Sequence, residues 1–347
     1  MLCLGIESTA HTFGAGVVEG RIDHLSDLST FKVLSDSKDI YRAPEGSGIH
    51  PREAARHHVE MSSKVISDAL KQAKSTPESI DFIAYSAGPG LGPCLRVGAV
   101  VARTLASYYS KPLVATNHAI GHVELGKMLC GLKDPLVLVV SGGHTALAAC
   151  QDEEWKIFGE TLDLTLGQLL DQLGRFLGLS SPAGKEIEKL AIDHDDSRML
   201  SLPYTVKGND VSYSGLLSSA KDAFLSGATK ERLCYSVQET SFSMLTEATE
   251  RALAFTEKEE LLVTGGVAAN SRLSEMIGRM CIDRGVRIGV IPKEFAGDCG
   301  SQIAAAGFVF YQSCGPVAPE QSFIRQSWRI DQVSFRNKLS RDESLLA

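Results

Sequence analysis

Short apolar runs that end in polar or glycine-rich turns recur along this chain, and such runs are typical of buried β-strands. The pattern predicts strands at 2–6, 13–18, 80–86, 113–116, 135–140, 146–150, 261–263 and 286–291. Between the strands, apolar residues recur at helical spacing. That spacing predicts helices at 51–73, 95–109, 118–129, 166–178, 183–193, 214–225 and 230–257, a helix start near 268, and a helix of small residues at 299–311.

The order of these elements repeats along the chain. Two strand–turn–strand units, beginning near residues 2 and 135, are each followed by helices. This order predicts a duplicated α/β architecture in which two lobes enclose a cleft. The segment after Gly315 is polar and contains Pro316 and Pro319, which predicts an irregular docking or linking segment.

Composition and charge narrow the class of protein. Hydrophobic residues make up 44 % of the 347 residues and charged residues 22 %, which excludes a disordered, collagen-like or coiled-coil chain. The formal net charge of −7 excludes nucleic-acid binding through the overall field, so a nucleic-acid partner would need a local basic patch or a helper subunit. No apolar stretch reaches the roughly 18 residues of a membrane span, and the N-terminal apolar run is too short for a signal peptide. We therefore predict a cytoplasmic protein.

Three turns that directly follow apolar strands carry small and polar residues. They are Glu7-Ser8-Thr9, Ser141-Gly142-Gly143-His144-Thr145 and Thr264-Gly265-Gly266-Val267-Ala268-Ala269-Asn270. Backbone N–H groups at such turns approach an anion closely because glycine has no Cβ, and a helix start favours negative charge. One such turn is common, but three together favour nucleotide binding. The alternative is that all three are only tight turns.

His118 and His122 lie four residues apart on a predicted helix, so both side chains project from one face. Two imidazoles in this arrangement suit zinc or iron(II), and a carboxylate would complete the set. Asp298, which precedes a helix of small residues, is either that third ligand or only an N-cap. The segment also resembles the zinc-protease motif HExxH, but Ala119 replaces the glutamate that would act as general base.

Asp171 and a basic cluster on the first long helix each allow two interpretations. Asp171 lies in an apolar helix, where it either faces solvent or accepts hydrogen bonds from ribose hydroxyls. A small basic cluster on the first long helix is either a solvated face or a contact for RNA or a subunit. Its members are Arg52, Arg56, His57 and His58, and Arg96 and Arg103 on the next helix extend it only if they lie nearby.

Taken together, the motifs resemble the universal tRNA threonylcarbamoyladenosine transferase family in its archaeal and eukaryotic branch. The matching segments cover about residues 3 to 310 in the family's order. They are Gly5-Ile6-Glu7 with Thr9-Ala10-His11-Thr12, Gly48-Ile49-His50-Pro51-Arg52-Glu53-Ala54-Ala55, Gly88-Pro89-Gly90-Leu91-Gly92-Pro93-Cys94-Leu95-Arg96-Val97-Gly98, Asn117-His118-Ala119-Ile120-Gly121-His122, Ser141-Gly142-Gly143, Gly184-Lys185-Glu186-Ile187-Glu188, Val211-Ser212-Tyr213-Ser214-Gly215-Leu216 and Thr264-Gly265-Gly266-Val267-Ala268-Ala269-Asn270.

The resemblance implies an α/β actin-like ATPase (ASKHA) fold, with two ribonuclease-H-like lobes around a nucleotide cleft. On this basis we expect an N-terminal lobe at 1–116, a C-terminal lobe at 117–298, a helix at about 299–312 near the lobe junction, and a polar tail at 313–347. The implied activity is that of an N6-L-threonylcarbamoyladenine synthase. Such an enzyme transfers the threonylcarbamoyl group from threonylcarbamoyl-adenylate to N6 of the adenosine 3′ of the anticodon, in tRNAs reading ANN codons, and releases AMP.

The resemblance also implies a ligand set, cofactors and partners. Its metal ligands would be His118, His122 and Asp298, and the metal Fe²⁺ or Zn²⁺. Its residues for threonylcarbamoyl-adenylate, or for ATP or ADP, would be Val139, Val140, Ser141, Gly142, Gly143, Asp171, Gly184, Glu188, Gly265, Gly266 and Asn270. The implied partners are tRNA and the other KEOPS subunits, namely a small atypical kinase, a dimerising subunit and a tRNA-recruiting subunit, with no membrane. Glu7 and His11 are the candidates for a general base.

Four positions depart from the family's pattern. Val139 stands where a tyrosine is usual, so water or substrate would replace that oxygen in the metal shell. His144 stands where asparagine is usual, Gln172 where lysine is usual, and Ala183 where glycine is usual. Two rival functions stay open: the metal-dependent glycoprotein endopeptidase that the family was once labelled, and a nucleotide-binding scaffold without turnover.

Overall fold

Strands and helices alternate along the chain and build two similar sheets. The computed structural model describes residues 1–22, 30–44, 48–180, 182–192 and 198–335. The strands are β1 (Leu2–Glu7), β2 (Thr12–Glu19), β3 (Lys32–Ile40), β4 (Phe82–Gly88), β5 (Leu113–Asn117), β6 (Leu136–Val140), β7 (Thr145–Gln151), β8 (Glu154–Glu160), β9 (Val206–Lys207), β10 (Asp210–Val211), β11 (Glu260–Thr264) and β12 (Arg287–Val290). The helices are α1 (Pro51–Gln72), α2 (Gly92–Tyr108), α3 (His118–Cys130), α4 (Leu166–Leu177), α5 (Gly184–Ile192), α6 (Ser214–Leu225), α7 (Lys230–Thr256), α8 (Ser271–Arg284) and α9 (Gly300–Cys314).

The two five-stranded sheets have the same topology. The first has the strand order β3-β2-β1-β4-β5 and the second β12-β11-β6-β7-β8. In each sheet the first three strands in chain order form an antiparallel meander, and the two later strands add in parallel beside its first strand. The predicted duplication of an α/β unit is therefore confirmed.

Helix α9 lies directly on the first sheet because glycines remove the side chains that would separate them. A Cβ on Gly5 would lie 2.2 Å from the backbone nitrogen of Ala304, and a Cβ on Gly300 would lie 2.2 Å from the backbone nitrogen of Gly16. Helix α9 also packs against α3. This close approach brings Asp298, just before α9, to the end of β1 and to the start of α3.

Several predicted boundaries differ from the structure. The helix expected to start near 268 begins at Ser271, after a short 3₁₀ turn over Gly266–Ala269, because the Asn270 side chain caps α8. Helix α2 begins at Gly92 rather than 95. The strands β3 and β8 were not predicted. Both are edge strands of their sheets with polar sequences, so they lack the apolar runs that marked the others.

The segment after Gly315 is irregular, as predicted, but it is also part of the core. We call residues 316–335 the C-terminal strap. Its side chains Trp328, Ile330 and Val333 are 9 %, 7 % and 3 % exposed, and Val317 pairs with Leu113 of β5. Its polar composition did not indicate this burial. Within the described residues, no helix combines the length and the hydropathy that crossing a membrane requires.

Candidate metal centre and nucleotide turns

The start of helix α3 presents two histidines on one face. Strand β5 ends at Asn117, whose side-chain oxygen accepts hydrogen bonds from the backbone N–H groups of Ala119 and Ile120 and so caps the helix. His118 and His122 follow one turn apart, 6 % and 1 % exposed. The predicted i, i+4 pair is therefore present, and it is buried.

Asp298 faces both histidines from the segment before α9. Its Oδ1 lies 3.5 Å from the Nε2 atom of His118 and 3.4 Å from the Nε2 atom of His122. One ligand atom from each of the three residues lies within 4.8 Å of the others. The alternative that Asp298 only caps α9 does not account for these contacts.

The chemistry of this cluster fits a divalent metal ion. Both ring nitrogens of His122 are buried and have no hydrogen-bond partner among the described residues, which is costly unless a ligand binds them. Burial lowers the pKa of His122 and so favours the neutral imidazole that metals bind. Burial opposes ionisation of Asp298, but the neighbouring His118 and His122 outweigh burial and hold its pKa below the usual range.

Glu7 contacts the other side of the His118 ring. Its Oε2 lies 3.0 Å from His118 Nδ1, and its Oε1 accepts a hydrogen bond of 2.6 Å from the backbone N–H of Thr9. A carboxylate at this position holds the proton on Nδ1 and leaves Nε2 free towards Asp298. Burial lowers the pKa of His118, but without a metal ion the carboxylates of Glu7 and Asp298 outweigh burial and raise it to about 9, so a metal ion bound at Nε2 would displace a proton.

Glu7 and His11, the two general-base candidates, have different surroundings. Glu7 is fully buried, and this burial and its two hydrogen bonds favour a role in orienting His118 over proton transfer to a substrate. His11 is half-buried, and its Nδ1 has no hydrogen-bond partner among the described residues. Its charge contributes to the lowered pKa of Asp298, which places it near the cluster.

The turn after β6 leaves two glycines open at the surface. The Ser141 hydroxyl accepts hydrogen bonds from the N–H groups of Gly143 and His144, so it stabilises the turn itself. A Cβ on Gly142 would have no atom within 4 Å, which shows that the backbone there is accessible. Val139 and Val140, by contrast, are core residues of β6 at 2 % and 0 % exposure that pair with β7, and Val139 also pairs with β11, so they support the turn from the sheet.

The turn after β11 packs against the turn after β6. Gly265 has a φ of +98°, and a Cβ there would lie 2.4 Å from the carbonyl oxygen of Val140, so only glycine fits. Gly266 is open, with no atom within 4 Å of a Cβ built on it. Asn270 caps α8 through Oδ1, and its Nδ2 donates to Gln238 Oε1 at 3.1 Å.

The polar groups expected around adenosine already hold the framework together. Asp171 Oδ1 accepts a hydrogen bond of 2.8 Å from the backbone N–H of Ala183, next to Gly184 at the start of α5. Glu188 Oε1, one turn further along α5, accepts one of 2.8 Å from the N–H of Ser271. These bonds connect α4, α5 and the start of α8, so the structure brings the predicted set together on one side of the glycine turns.

Three contacts of this site were missed from the sequence. Gln302 Nε2 and Thr9 Oγ1 lie 3.1 Å and 3.4 Å from His118 Nδ1. Gln302 is fully buried in an apolar helix, and that isolated polar residue was the available signal. Burial, together with the charges of His118 and His122, lowers the pKa of His144 to about 4, which places this ring beside the cluster.

Fold and site together define an actin-like ATPase-fold protein that combines glycine turns with a candidate site for a divalent metal. The family model described as "TsaD: tRNA N6-adenosine threonylcarbamoyltransferase" matches residues 32–305. The chain belongs to this family of acyltransferases, which act in tRNA threonylcarbamoyladenosine synthesis.

Relatives and solved structures agree with this assignment. The chain is 44 % identical to the tRNA N6-adenosine threonylcarbamoyltransferase of Caldivirga maquilingensis over 96 % of this chain and 97 % of that protein. It is 46 % identical to the protein of the same name from Methanopyrus kandleri, over 96 % and 95 % of the two chains. In fold it is similar to HypF of T. kodakarensis, with a TM-score of 0.62 at 13 % identity, covering 90 % of this chain and 47 % of HypF. The activator of 2-hydroxyisocaproyl-CoA dehydratase from Clostridium difficile, solved with bound ADPNP, gives a TM-score of 0.50 at 11 % identity over 89 % and 94 % of the chains.

Proposed function

We propose that this chain transfers the threonylcarbamoyl group from threonylcarbamoyl-adenylate to N6 of the adenosine 3′ of the anticodon, in tRNAs reading ANN codons. The observation that carries the proposal is the buried His118, His122 and Asp298 cluster beside open glycine turns, in a chain of this family. A scaffold without turnover gives no reason to bury two unpartnered imidazole nitrogens next to a carboxylate. The endopeptidase alternative lacks its general base, since Ala119 is 2 % exposed and has no ionisable group.

The proposed metal ligands are His118 Nε2, a ring nitrogen of His122 and the carboxylate of Asp298. Two imidazoles and one carboxylate suit Fe²⁺ or Zn²⁺ and leave coordination positions for water or substrate. A metal ion there supplies Lewis-acid polarisation and orientation of substrate oxygens. Glu7 fixes the orientation of His118. The Val139 side chain lies in the core and has no oxygen that could bind a metal ion.

The proposed nucleotide site lies on the glycine turns and the helices beyond them. Asp171, Gly184, Glu188 and Asn270 would hold the adenosine of threonylcarbamoyl-adenylate, or of ATP or ADP, through the polar atoms that the framework bonds leave free. The open backbone at Gly142 and Gly266 would contact the phosphate and the acyl group, and the other residues of the two turns would hold these glycines in place. These turns are Val139-Val140-Ser141-Gly142-Gly143 and Gly265-Gly266.

The transfer step forms one bond and breaks another. N6 of adenosine attacks the carbamoyl carbon, the C–N bond forms, and the C–O bond to the phosphate breaks, so AMP leaves with the electron pair. The Gly142 N–H would stabilise the charge that develops on the leaving phosphate, because the Gly143 N–H already donates to Ser141 Oγ. N6 must lose a proton, and His11 is the better-placed candidate to accept it because its Nδ1 has no partner among the described residues.

The proposed setting is a cytoplasmic KEOPS complex, with a small atypical kinase, a dimerising subunit and a tRNA-recruiting subunit. The family's role in tRNA modification supports this setting, and the net charge of −7 supports a need for subunits that help recruit tRNA. We propose lobes at 1–116 and 117–298, with residues 299–312 at their junction. The Asp298 contacts to α3 agree with a metal centre at that junction.

Nucleoside mass spectrometry tests the proposal directly. Unmodified tRNA is incubated with threonylcarbamoyl-adenylate, this protein and its purified KEOPS partners, with His118→Ala beside the wild type. We expect threonylcarbamoyladenosine with the wild type only. Product from both proteins would contradict the metal assignment but keep the activity. No product from either, with partners shown to be active beside another catalytic subunit, would overturn the transferase.

A further inference from the structure

The C-terminal strap contacts helix α2 at Gly92 and at Arg103. A Cβ on Gly92 would lie 2.3 Å from Gln326 Nε2, so the strap contacts the first turn of α2. Three turns further along the helix, Arg103 Nε and Nη2 donate to Ser322 Oγ and to the Ser322 carbonyl at 2.8 Å and 2.9 Å. The strap therefore runs along one face of α2.

Arg96 lies on that same face. Positions 92, 96, 99 and 103 follow the i, i+4, i+7, i+11 spacing of a single helical stripe. Arg96 is exposed and lies one turn along α2 from Gly92. Gly92 is the position that Gln326 of the strap contacts, and Arg325 directly precedes Gln326 in the chain. We call Arg96, Arg103 and Arg325 the arginine seam.

Arg325 is held in place by an aromatic ring. Its guanidinium carbon lies 4.7 Å from the centre of the Trp328 ring. Burial raises the pKa of Tyr85 to about 12, and the charges of Arg103 and Arg325 partly oppose that shift, so both groups lie near one hydroxyl. Stacking on a ring fixes the guanidinium plane and leaves its N–H edges available to an anion.

Two arginines of the seam have no counter-charge in the part of the chain that the structure describes. Neither Arg96 nor Arg325 has a carboxylate within ion-pair distance among the described residues. Arg329, four residues further along the strap, is different, because it pairs with Glu160 and Asp331 at 3.1 Å each. An exposed arginine without a carboxylate partner keeps its positive charge available to a negatively charged ligand.

The seam lies next to the candidate metal centre. Gly90 N–H donates to the Gln326 carbonyl at 3.1 Å, and Leu91 N–H donates to the carbonyl of Thr9, whose hydroxyl is 3.4 Å from His118 Nδ1. Asn117, directly before His118, donates its Nδ2 to the Trp328 carbonyl at 2.9 Å. A cavity of about 300 Å³ opens here, lined by Arg325, Gln326, Ser327, Trp328 and Gln332.

We propose that Arg96 and Arg325 bind phosphate groups of the tRNA backbone beside the candidate active site. The inference rests on the proposed function, which makes tRNA the anion that must reach His118. A chain with a net charge of −7 repels tRNA at long range, so a local cationic surface beside the reacting centre is needed to hold it. Arg103 is the positioning residue that fixes the strap on α2.

Salt-dependent binding tests the inference. Fluorescence anisotropy with an unmodified tRNA transcript reading ANN codons is measured from 50 to 200 mM salt for complexes of the purified KEOPS partners with the wild type, Arg96→Gln, Arg325→Gln or the double variant. The matched control is Arg279→Gln, which removes an exposed arginine of α8 that also has no carboxylate partner among the described residues. We expect each single variant to bind about fivefold more weakly and to lose about 0.9 from the slope of log affinity against log salt concentration.

The salt slope separates a phosphate contact from a structural effect. A slope reduced by about 0.9 means that the gap to the wild type narrows about 3.5-fold between 50 and 200 mM salt. Weaker binding with an unchanged slope, or wild-type binding by the double variant, would overturn the inference. Wild-type binding by the double variant would mean that the arginine seam binds another anion, such as an acidic protein surface. A wild-type complex that does not bind tRNA would also overturn it.

A transfer assay distinguishes failure of this inference from failure of the proposed function. With active partners, we expect the double variant to need more tRNA for half-maximal threonylcarbamoyladenosine formation while its rate at saturating tRNA stays near that of the wild type. If the wild type makes product and all variants share its tRNA dependence, only the inference fails. If the wild type makes no product, the proposed function fails, and the binding slopes still decide whether the seam contacts tRNA.

Discussion

Two helices each carry a pair of histidines into the interior, and the two pairs end in opposite chemical situations. On α3, His118 and His122 converge on the carboxylate of Asp298, and both ring nitrogens of His122 are without hydrogen-bond partners among the described residues. We call His118 and His122 the α3 pair. Its polar atoms face one another across a space that a metal ion would fill.

The pair on α1 is satisfied by the protein itself. His57 Nε2 lies 2.8 Å from Asp39 Oδ1, and His58 Nε2 donates to the carbonyl oxygen of Ala10 at 3.1 Å. The sequence predicted a basic cluster there, but His58 is fully buried, and burial lowers its pKa to about 4, so it is neutral at pH 7. The comparison shows that burial of a histidine does not mark a ligand. An unsatisfied nitrogen next to a carboxylate does.

Removal of a ligand from the α3 pair should have the largest effect. A zinc site with four ligands contributes about 10–16 kcal/mol, so the loss of one ligand costs about 4 kcal/mol, or about a 1000-fold loss of metal affinity. We expect this loss for His122→Ala, together with loss of transfer activity. Titration with Zn²⁺ or anaerobic Fe²⁺, followed by calorimetry, measures the affinity.

The α1 pair supplies the matched control for that experiment. We expect His57→Ala to bind metal like the wild type, because its ring pairs with Asp39 rather than with the cluster. Equal loss in both variants would mean that metal binding follows general stability. Unchanged affinity in His122→Ala would remove His122 from the site.

The second largest effect should be a loss of folding stability in acid that is caused by His58 of the pair on α1. The folded-state pKa of His58 is about 4, below the unfolded value of about 6.5. The unfolded chain therefore binds a proton that the folded protein does not, and stability is lost as the pH falls from 6.5 towards 4. The full shift corresponds to about 3 kcal/mol, and about 2 kcal/mol is lost by pH 5.

Chemical denaturation at pH 7 and pH 5 separates His58 from other titrating groups. His58→Gln keeps a side-chain N–H that can donate to Ala10 but cannot titrate. We expect its free energy of unfolding to fall by about 2 kcal/mol less than that of the wild type between the two pH values. Parallel losses in the two proteins would show that His58 titrates normally in the folded state.

A third experiment tests what orients the α3 pair. Glu7→Gln keeps the size of the side chain that contacts His118 Nδ1 but removes its charge. Loss of such a supporting carboxylate costs about 10–100-fold in metal affinity. We expect that loss with little change in the unfolding midpoint of the metal-free protein. A lower midpoint with unchanged metal affinity would make Glu7 a structural residue only.

The sequence predicted the local part of this molecule well. The strands and helices with strong periodicity lie where they were predicted, and α6 matches its predicted bounds of 214–225. The i, i+4 spacing placed His118 and His122 on one face. The polar edge strands β3 and β8 were missed because they carry no apolar run, and the register of an edge strand depends on its neighbour.

Contacts between distant segments could not be predicted from local patterns. Glu7 meets His118 across 111 residues, and Gln302 meets it across 184. The Glu7 contact depends on the order of β1, β4 and β5 in the first sheet, and the Gln302 contact depends on the packing of α9 against α3. The burial of His58 was missed for the same reason, since it depends on how α1 packs on β2. The position of Asp298 before a helix left it as either an N-cap or a third ligand, the family resemblance implied the ligand, and the structure supplies its distances to the histidines.

The exposed contact of the α1 pair should have the smallest effect. The His57 and Asp39 side chains are 19 % and 36 % exposed, and partly exposed ion pairs contribute about 0–1 kcal/mol because water and salt screen them. We expect Asp39→Asn to lower the free energy of unfolding by about 0.5 kcal/mol at pH 6 and to leave metal affinity unchanged. Denaturation and metal titration of the same protein measure both. A change in metal affinity would show that the two histidine pairs are coupled through the turn at residues 8–11. The distinction between the α3 pair as metal ligands and the α1 pair as structural residues would then be wrong.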